Sequence, residues 1–324
     1  MSKATKDTHT EHHHDGRRVE DVRLITGAGR YASDWNAPGQ LYAHFVRSDR
    51  AHAELVAVDT AQARAHPGVK QVFTGEDAVS AGYVNAPHTM AFAGKNGMKA
   101  RSPQRPVLAH GRVRFVGEAI AMVVATSAAA AQDAADLISV EYRDLQSVTD
   151  PEGALVPGAP LLDDSIAGNL AWEAEVGDES SVSAAFASAA HVTRARIVST
   201  RVAPNPMEPR ACVVAYDPAT ESYRFNCPTQ GVTTLRGQLS AYTKVPQDKI
   251  ILEANDVGGG FGQRSGAYPE YVAMMIAAKT LGAPVKWIST RTEGFLTDTH
   301  GRNMIAHGAL ALDKDGRFLA MRLD

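Results

Sequence analysis

The sequence predicts an α+β protein of two globular regions, on three observations. Short apolar runs with strand-like character are interleaved with brief helical runs over residues 19–148, and a Pro- and Gly-dotted stretch at 149–169 then interrupts all periodicity. Beyond it, over residues 170–324, strand and helix patterns resume around a block of glycines. The length of 324 residues suits about two domains, and 44% hydrophobic with 21% charged residues is the composition of a soluble globular chain with a sizeable core. A net charge of −3 with no basic stripe argues against a nucleic-acid surface. Apolar runs such as Ala119–Ala125 are far shorter than the ~20 residues that span a bilayer. A soluble, cytoplasmic protein is the expectation.

Residues 1–18 are polar and read as a disordered tail. The run His12-His13-His14 within it is no metal site by itself, because adjacent histidines cannot converge on one ion without a shaped pocket. Arg17-Arg18 lacks the apolar segment that an export signal would carry. Gly27, Gly29 and Ala32 fit a loose dinucleotide pattern, but residues 33–39 follow where a helix should, so no nucleotide site is assigned there. Leu41–Arg47 and 55–59 read as strands, 60–65 as a short helix stopped by Pro67-Gly68, and Val69–Thr74 as a strand. Residues 81–105 lack periodicity and read as a long excursion. Strands resume at 113–116 and Ala119–Ala125, with Gly117 as a turn or bulge. Ser127 can cap a helix to about Ile138 with Ala131, Ala134, Ala135 and Ile138 on one face, and 140–142 closes the region as a strand.

The second region opens with a helix at 179–189 and a strand at 191–201, broken by the prolines of Pro204-Asn205-Pro206-Met207-Glu208-Pro209-Arg210. A hairpin of 211–216 and 223–228 carries the only cysteines, Cys212 and Cys227. A symmetric register would set them opposite one another, and two buried thiols are expected rather than a disulfide. A helix with Leu235, Leu239 and Tyr242 on one face leads to a strand and then to Gly258-Gly259-Gly260-Phe261-Gly262. Pro269 opens a helix that is apolar nearly all round, hence buried, and Gly282 and Pro284 end it. A strand at 285–290 and a hairpin at 310–323 follow.

Strand, glycine turn and helix in that order can aim several backbone N–H groups at one anion, with the helix dipole adding to the attraction. The phosphate-loop pattern fails, since Gln263 stands where glycine and Arg264 where lysine is required. The dinucleotide pattern fails too, because Phe261 interrupts the glycines. A tight turn accounts for one or two glycines. Four around a single aromatic argue for a ligand that approaches the backbone closely. His300, His307 and Glu293 are separated and read as surface or packing residues.

Taken together, Asn205 to Arg210, Thr229-Gln230-Gly231 and Asp256 to Gly262 resemble the molybdopterin-binding large subunit of the xanthine dehydrogenase and aldehyde oxidase family. Tyr268-Pro269-Glu270, Val285-Lys286-Trp287 and Thr299-His300-Gly301-Arg302 are similar to its carbon-monoxide-dehydrogenase-like branch. Gly27-Ala28-Gly29-Arg30-Tyr31, Phe45 to Ser48, His66 to Val69 and Phe115-Val116-Gly117-Glu118 resemble the α/β hammerhead domain that precedes the cofactor domain there. The resemblance implies an α/β hammerhead domain at 19–148, a linker at 149–169, and at 170–324 the first, incomplete part of a molybdopterin-binding domain.

The activity implied is hydroxylation at an electron-poor carbon of an aldehyde or N-heterocycle, or oxidation of carbon monoxide, with oxygen from water and a glutamate as base. By the same resemblance, Gln230, Gly231, Gly259, Gly260, Phe261 and Gly262 contact a molybdopterin-type molybdenum cofactor, and Phe261 and Ser265 line the substrate pocket. No residue ligates the metal directly. Ser265 occupies the place where purine-oxidising relatives carry a glutamate, which disfavours a purine. Family large subunits continue past the equivalent of Asp324, so the base glutamate is expected outside this chain, which alone would bind little cofactor and lack activity. The remainder of the large subunit and subunits bearing FAD and 2Fe–2S clusters are the implied partners. A catalytically empty fragment or assembly module is the rival reading, and a phosphate-loop nucleotidase dependent on Arg264 ranks last.

Overall fold

The computed structural model of the chain describes residues 18–83, 94–103 and 105–324. The histidine-bearing tail, apart from Arg18, and the middle of the 81–105 excursion lie outside the described residues. In chain order the elements are α1 (Asp21–Ile25), β1 (Leu41–Arg47), β2 (Ala53–Asp59), α2 (Ala61–Ala65), β3 (Val69–Thr74), α3 (Gly75–Ser80), β4 (Arg112–Val113), β5 (Ala119–Ala125), α4 (Ala128–Ala135) and β6 (Ser139–Asp144). There follow α5 (Glu179–Ser188), β7 (His191–Ser199), β8 (Ala211–Asp217), β9 (Ser222–Asn226), α6 (Val232–Thr243), β10 (Ile250–Glu253), α7 (Pro269–Leu281), β11 (Val285–Ile288), α8 (Arg291–Thr297), β12 (Met304–Leu312) and β13 (Phe318–Leu323).

Local chemistry sets most of these bounds. Ser127 caps α4, its hydroxyl accepting the Ala130 N–H at 3.1 Å, and Ala131, Ala134 and Ala135 face inward. Pro269 occupies the first turn of α7, and Gly282 in the left-handed region (φ 60°) ends it. The strand expected at 113–116 shortens to β4, because the Glu118 carboxylate accepts the Arg114 N–H at 2.6 Å and Gly117 turns at φ 100°. Residues 149–169 are ordered by side-chain bonds. The Asn169 amide donates to the carbonyls of Ala154 (3.0 Å) and Pro160 (2.9 Å).

The main sheet has seven strands in the order β10-β9-β8-β11-β1-β5-β3. It is shared between the two regions that the 149–169 stretch separates in sequence. The joint is a parallel pairing of β1 with β11, Leu41 opposite Val285 and Tyr42 opposite Lys286, with the Leu41 N–H donating to Pro284 O at 2.8 Å. Lys286 adds a second tie. Its buried ammonium donates to Ser33 O (2.6 Å), Trp35 O (2.9 Å) and Asn36 Oδ1 (2.9 Å), and burial pushes its pKa down. One apolar cluster runs through both regions, including Phe45, Met122 and Val124 from the first with Phe225, Tyr271 and Trp287 from the second. Phe45 meets Trp287 edge-on at 5.2 Å, and each such buried side chain contributes about 1.5–3 kcal/mol. Helix α7 is buried as its all-round apolarity requires.

Cys212 and Cys227 are both buried and unbridged. The β8–β9 register pairs Val213 with Asn226, so one step further sets the two cysteines opposite one another. Two smaller sheets complete the described fold, β4-β2-β6 and β13-β12-β7.

Candidate functional site

The glycine block forms the turn between β10 and α7. Gly259 (φ 104°), Phe261 (φ 50°) and Gly262 (φ 95°) all lie in the left-handed region. For Phe261 that conformation is strained, and its ring is 73% exposed, so neither backbone preference nor burial accounts for it. A Cβ at Gly258 would lie 2.5 Å from Glu208 Cβ, one at Gly259 3.2 Å from Pro206 Cβ, and one at Gly260 2.4 Å from Gln230 Cδ. The close approach that requires these three glycines is therefore made by the protein's own side chains, which corrects the expectation that a ligand makes it. Gly262 faces open space and is required by its φ. The helix-dipole expectation is corrected as well. A single 3-10 turn, Gln263–Ser265, intervenes before α7 begins at Pro269, and the Glu270 carboxylate in its first turn is held by Arg210.

What the turn offers a ligand is hydrogen-bond donors. The backbone N–H groups of Gly259, Gly260 and Phe261 donate to no described residue. Gln230 sits against them. Its Oε1 accepts the N–H groups of Gly262 (2.9 Å) and Arg264 (3.2 Å), with the Ser265 hydroxyl at 3.4 Å. Those bonds set the amide's orientation. Nε2 then has no described partner and remains a free donor. Gly231 precedes α6 as its N-cap, its N–H donating to Thr229 Oγ1 at 3.2 Å. Gln230, Gly231, Gly259, Gly260, Phe261, Gly262 and Ser265 thus gather in one surface patch. Among the described residues no group of three or more His, Cys, Asp or Glu is placed to hold a metal ion.

Behind the patch lies a buried charge cluster. Arg210, fully buried, donates to Glu270 Oε2 at 3.0 Å and also to Asp298 and Thr297, with its guanidinium 4.0 Å from the Tyr268 ring centre. Arg47, on β1, reaches Glu270 Oε1 at 3.0 Å and Glu293 Oε1 at 2.7 Å. Burial raises the Glu270 pKa, but the charges of Arg210 and Arg47 outweigh it and hold the group at about 2. Arg264 is also buried, donating to Glu208 O with Asp298 at 3.8 Å, so it points away from the surface where a phosphate-loop cation would stand. Glu293 serves packing as expected, capping α8 through the Thr290 N–H (2.8 Å) and holding Arg47. His300 bonds the Phe295 carbonyl at 2.9 Å and His307 meets Glu152 at 2.8 Å. The sequence reading missed Arg47, Glu208 and Arg210. Their signal was weak: Glu208 and Arg210 stand between apolar or proline neighbours and Arg47 follows an apolar run, with partners 50 to 246 positions away.

Comparison with known proteins places this fold among the molybdopterin cofactor-binding proteins. Residues 162–324 match the family described as molybdopterin cofactor-binding domain, and residues 26–146 match the aldehyde oxidase and xanthine dehydrogenase a/b hammerhead domain. The chain belongs to the large, molybdopterin-binding subunits of the xanthine dehydrogenase and aldehyde oxidase family, in the carbon-monoxide-dehydrogenase-like branch. It is 35% identical to the carbon monoxide dehydrogenase large chain of Afipia carboxidovorans, over 94% of this chain and 38% of that one. It is 36% identical to the nicotine 6-hydroxylase large subunit of Paenarthrobacter nicotinovorans, over 94% of this chain and 36% of the relative. The crystal structure of quinoline 2-oxidoreductase from Pseudomonas putida 86 superposes with a TM-score of 0.85 at 38% identity, covering 94% of this chain and 38% of that one. The chain thus spans well under half the length of each of these three relatives.

Proposed function

We propose that this chain supplies one wall of the cofactor site of a molybdenum hydroxylase. The observation that carries the reading is the set of free donors on one patch, Gln230 Nε2 with the N–H groups of Gly259, Gly260 and Phe261. Such donors fit a cofactor rich in anionic and oxygen acceptors. When bound, the molybdopterin cofactor supplies the redox-active metal and the activation of water. The chain's own residues then orient and exclude. Gln230 Nε2 donates to an acceptor oxygen, its orientation locked by the two N–H groups on Oε1. Gly231 and Gly262 leave the backbone open to the cofactor, while Gly259 and Gly260, packed on Pro206 and Gln230, contribute their N–H groups. The Phe261 ring closes one side of the substrate position, and Ser265 lines it. A small, short side chain there suits an aldehyde, an N-heterocycle or carbon monoxide better than a purine.

In this reading the base glutamate and the remaining cofactor contacts come from polypeptide equivalent to the rest of the relatives' length, and electrons leave through FAD and 2Fe–2S subunits. The domain layout is hammerhead at 19–148, linker at 149–169 and cofactor domain from 170 onward. The sheet β13-β12-β7 supports the need for a partner. Helix α5 covers one face, where Arg322 stacks on Phe186 at 5.1 Å. The opposite face pairs Met321 with Leu310, Leu323 with Gly308 and Ala306 with Ile197, and Met304, Ile197, Met321 and Leu323 are exposed on it. Antiparallel sheets turn polar residues to water, so this apolar face fits a further protein layer. It serves equally the second reading, a catalytically empty assembly module. No described helix is long and apolar enough to cross a membrane, and the cytoplasm is the proposed location.

The test is purification of the chain alone and co-expressed with a polypeptide equivalent to the rest of the large subunit. Molybdenum and pterin per chain and aldehyde oxidation are then measured. Trace cofactor alone and stoichiometric cofactor together are expected. Stoichiometric molybdenum and turnover by the isolated chain would refute the partial-site reading, and a co-expressed complex without pterin would leave the assembly module.

A further inference from the structure

The glycine turn has little backbone bonding of its own, yet two carboxylates at its entry reach across to the first region. Asp256 receives the Arg23 guanidinium on both oxygens, at 2.5 and 2.6 Å, and the Arg30 N–H at 2.6 Å on Oδ2. Glu208, only 7% exposed, accepts the Ala32 N–H on Oε1 (2.9 Å) and the Gly258 N–H on Oε2 (2.8 Å). The Glu208 backbone closes the grip, its N–H donating to Gly258 O at 3.2 Å and its carbonyl accepting from Arg264 beyond the turn. Gly29 allows the strap to lie flat, since a Cβ there would stand 3.1 Å from Leu24 and 3.2 Å from the Tyr31 ring.

We infer that Asp256 and Glu208 are positioning residues that lock the glycine turn to a strap formed by Arg23 to Ala32. The role rests on the proposed use of that turn as a cofactor wall. Without the strap, Val257 to Phe261 would keep the Glu208–Gly258 pair at the entry, the Gln263 N–H on Gly260 O and the Gln230–Gly262 bond at the exit, and the segment bearing the three free N–H groups would be held less firmly. Arg23 bonding and the Arg30 N–H hold the Asp256 carboxyl down at about 2, so the clasp stays ionised at any ordinary working pH. The site's geometry is thereby set by the first region as much as by the second.

The experiment is hydrogen exchange by mass spectrometry on the full chain, with Arg23→Ala, Arg23→Lys and, as a remote control, Arg143→Ala, which removes the exposed partner of Glu54. Arg23→Ala is expected to speed exchange of the hydrogen-bonded Gly258 and Gly262 amides about tenfold while α7 keeps its protection; Arg23→Lys, with one point charge in place of the fork, falls between. Arg143→Ala leaves the turn unchanged. Unchanged turn exchange in Arg23→Ala, or an equal rise in turn and α7, overturns the inference. Pterin content of the co-expressed complex separates it from the reading beneath. A loosened turn with wild-type pterin content overturns the link to the cofactor, whereas absence of pterin from the wild-type complex overturns the cofactor reading and leaves the strap standing.

Discussion

Replacing Gly260 by alanine tests the geometry of the site most directly. The backbone at Gly260 is not in the left-handed region, so alanine is conformationally acceptable and the penalty comes from contact alone. The added Cβ would lie 2.4 Å from Gln230 Cδ, 2.5 Å from Cγ and 2.7 Å from Oε1. Gln230 is exposed and can swing outward, which relieves the clash by breaking the bonds from Oε1 to the Gly262 and Arg264 N–H groups. Two such bonds contribute about 1–3 kcal/mol together. Gln230→Ala loses the same bonds without a clash. The double variant should therefore cost no more than Gln230→Ala alone, a coupling of about 1–3 kcal/mol in a urea-denaturation double-mutant cycle. Additive costs to within about 0.5 kcal/mol would show that Gly260 and Gln230 do not meet as described.

Arg210→Met leaves Glu270 and Asp298 buried with weakened pairing and is expected to destabilise by about 3–5 kcal/mol in urea, and a loss below about 1 kcal/mol would refute the cluster's role. Burial raises the Glu118 carboxyl to about 7, above its ordinary 4.5, so its contribution to stability is complete below about 4.5 and is lost as pH rises through 7. Glu118→Gln should flatten that fall, which amounts to about 3 kcal/mol at most, and parallel curves for the two proteins would refute it. Burial pushes the thiols of Cys212 and Cys227 up, so neither should react with an aromatic disulfide reagent until urea unfolds the chain; fast native-state labelling would contradict their placement.

What was legible in the sequence was local. Ser127 announces α4 and Pro269 with Gly282 brackets α7, because caps and turns act over a few residues. The same signals could have found α8, where Thr290 and Glu293 form a capping box, and α3, where Asp77 replaces the usual glutamate opposite Thr74. The parallel joint between Leu41 and Val285 leaves no local trace, since neither strand encodes its partner. The site was legible as a patch but not in its reasons. Four glycines looked like room for a ligand, whereas Gly258, Gly259 and Gly260 make room for Glu208, Pro206 and Gln230. Only tertiary contact could show that.

Those contacts bear on how the proposed cofactor wall can be precise while standing on loops. Gln230 follows a strand end, Phe261 lies in a turn, and neither position is rigid by secondary structure. Rigidity comes from three ties to the first region: Arg47 in the buried charge cluster, Lys286 on the carbonyls of Ser33 and Trp35, and the Arg23–Ala32 strap on Asp256 and Glu208. Buried ion pairs add little net stability over apolar packing, but leaving one partner alone is costly, so they penalise every arrangement except the one in which all partners meet. Arg47, Arg210 and Arg264 share Glu270, Glu293 and Asp298, three cations on three carboxylates, of which Arg47 alone comes from the first region. A displaced first region would strand Glu293 without Arg47. The hammerhead domain therefore acts in this chain as part of the site's frame, which is why its loss should disturb the donors at Gln230 and Phe261 although it contributes none of them.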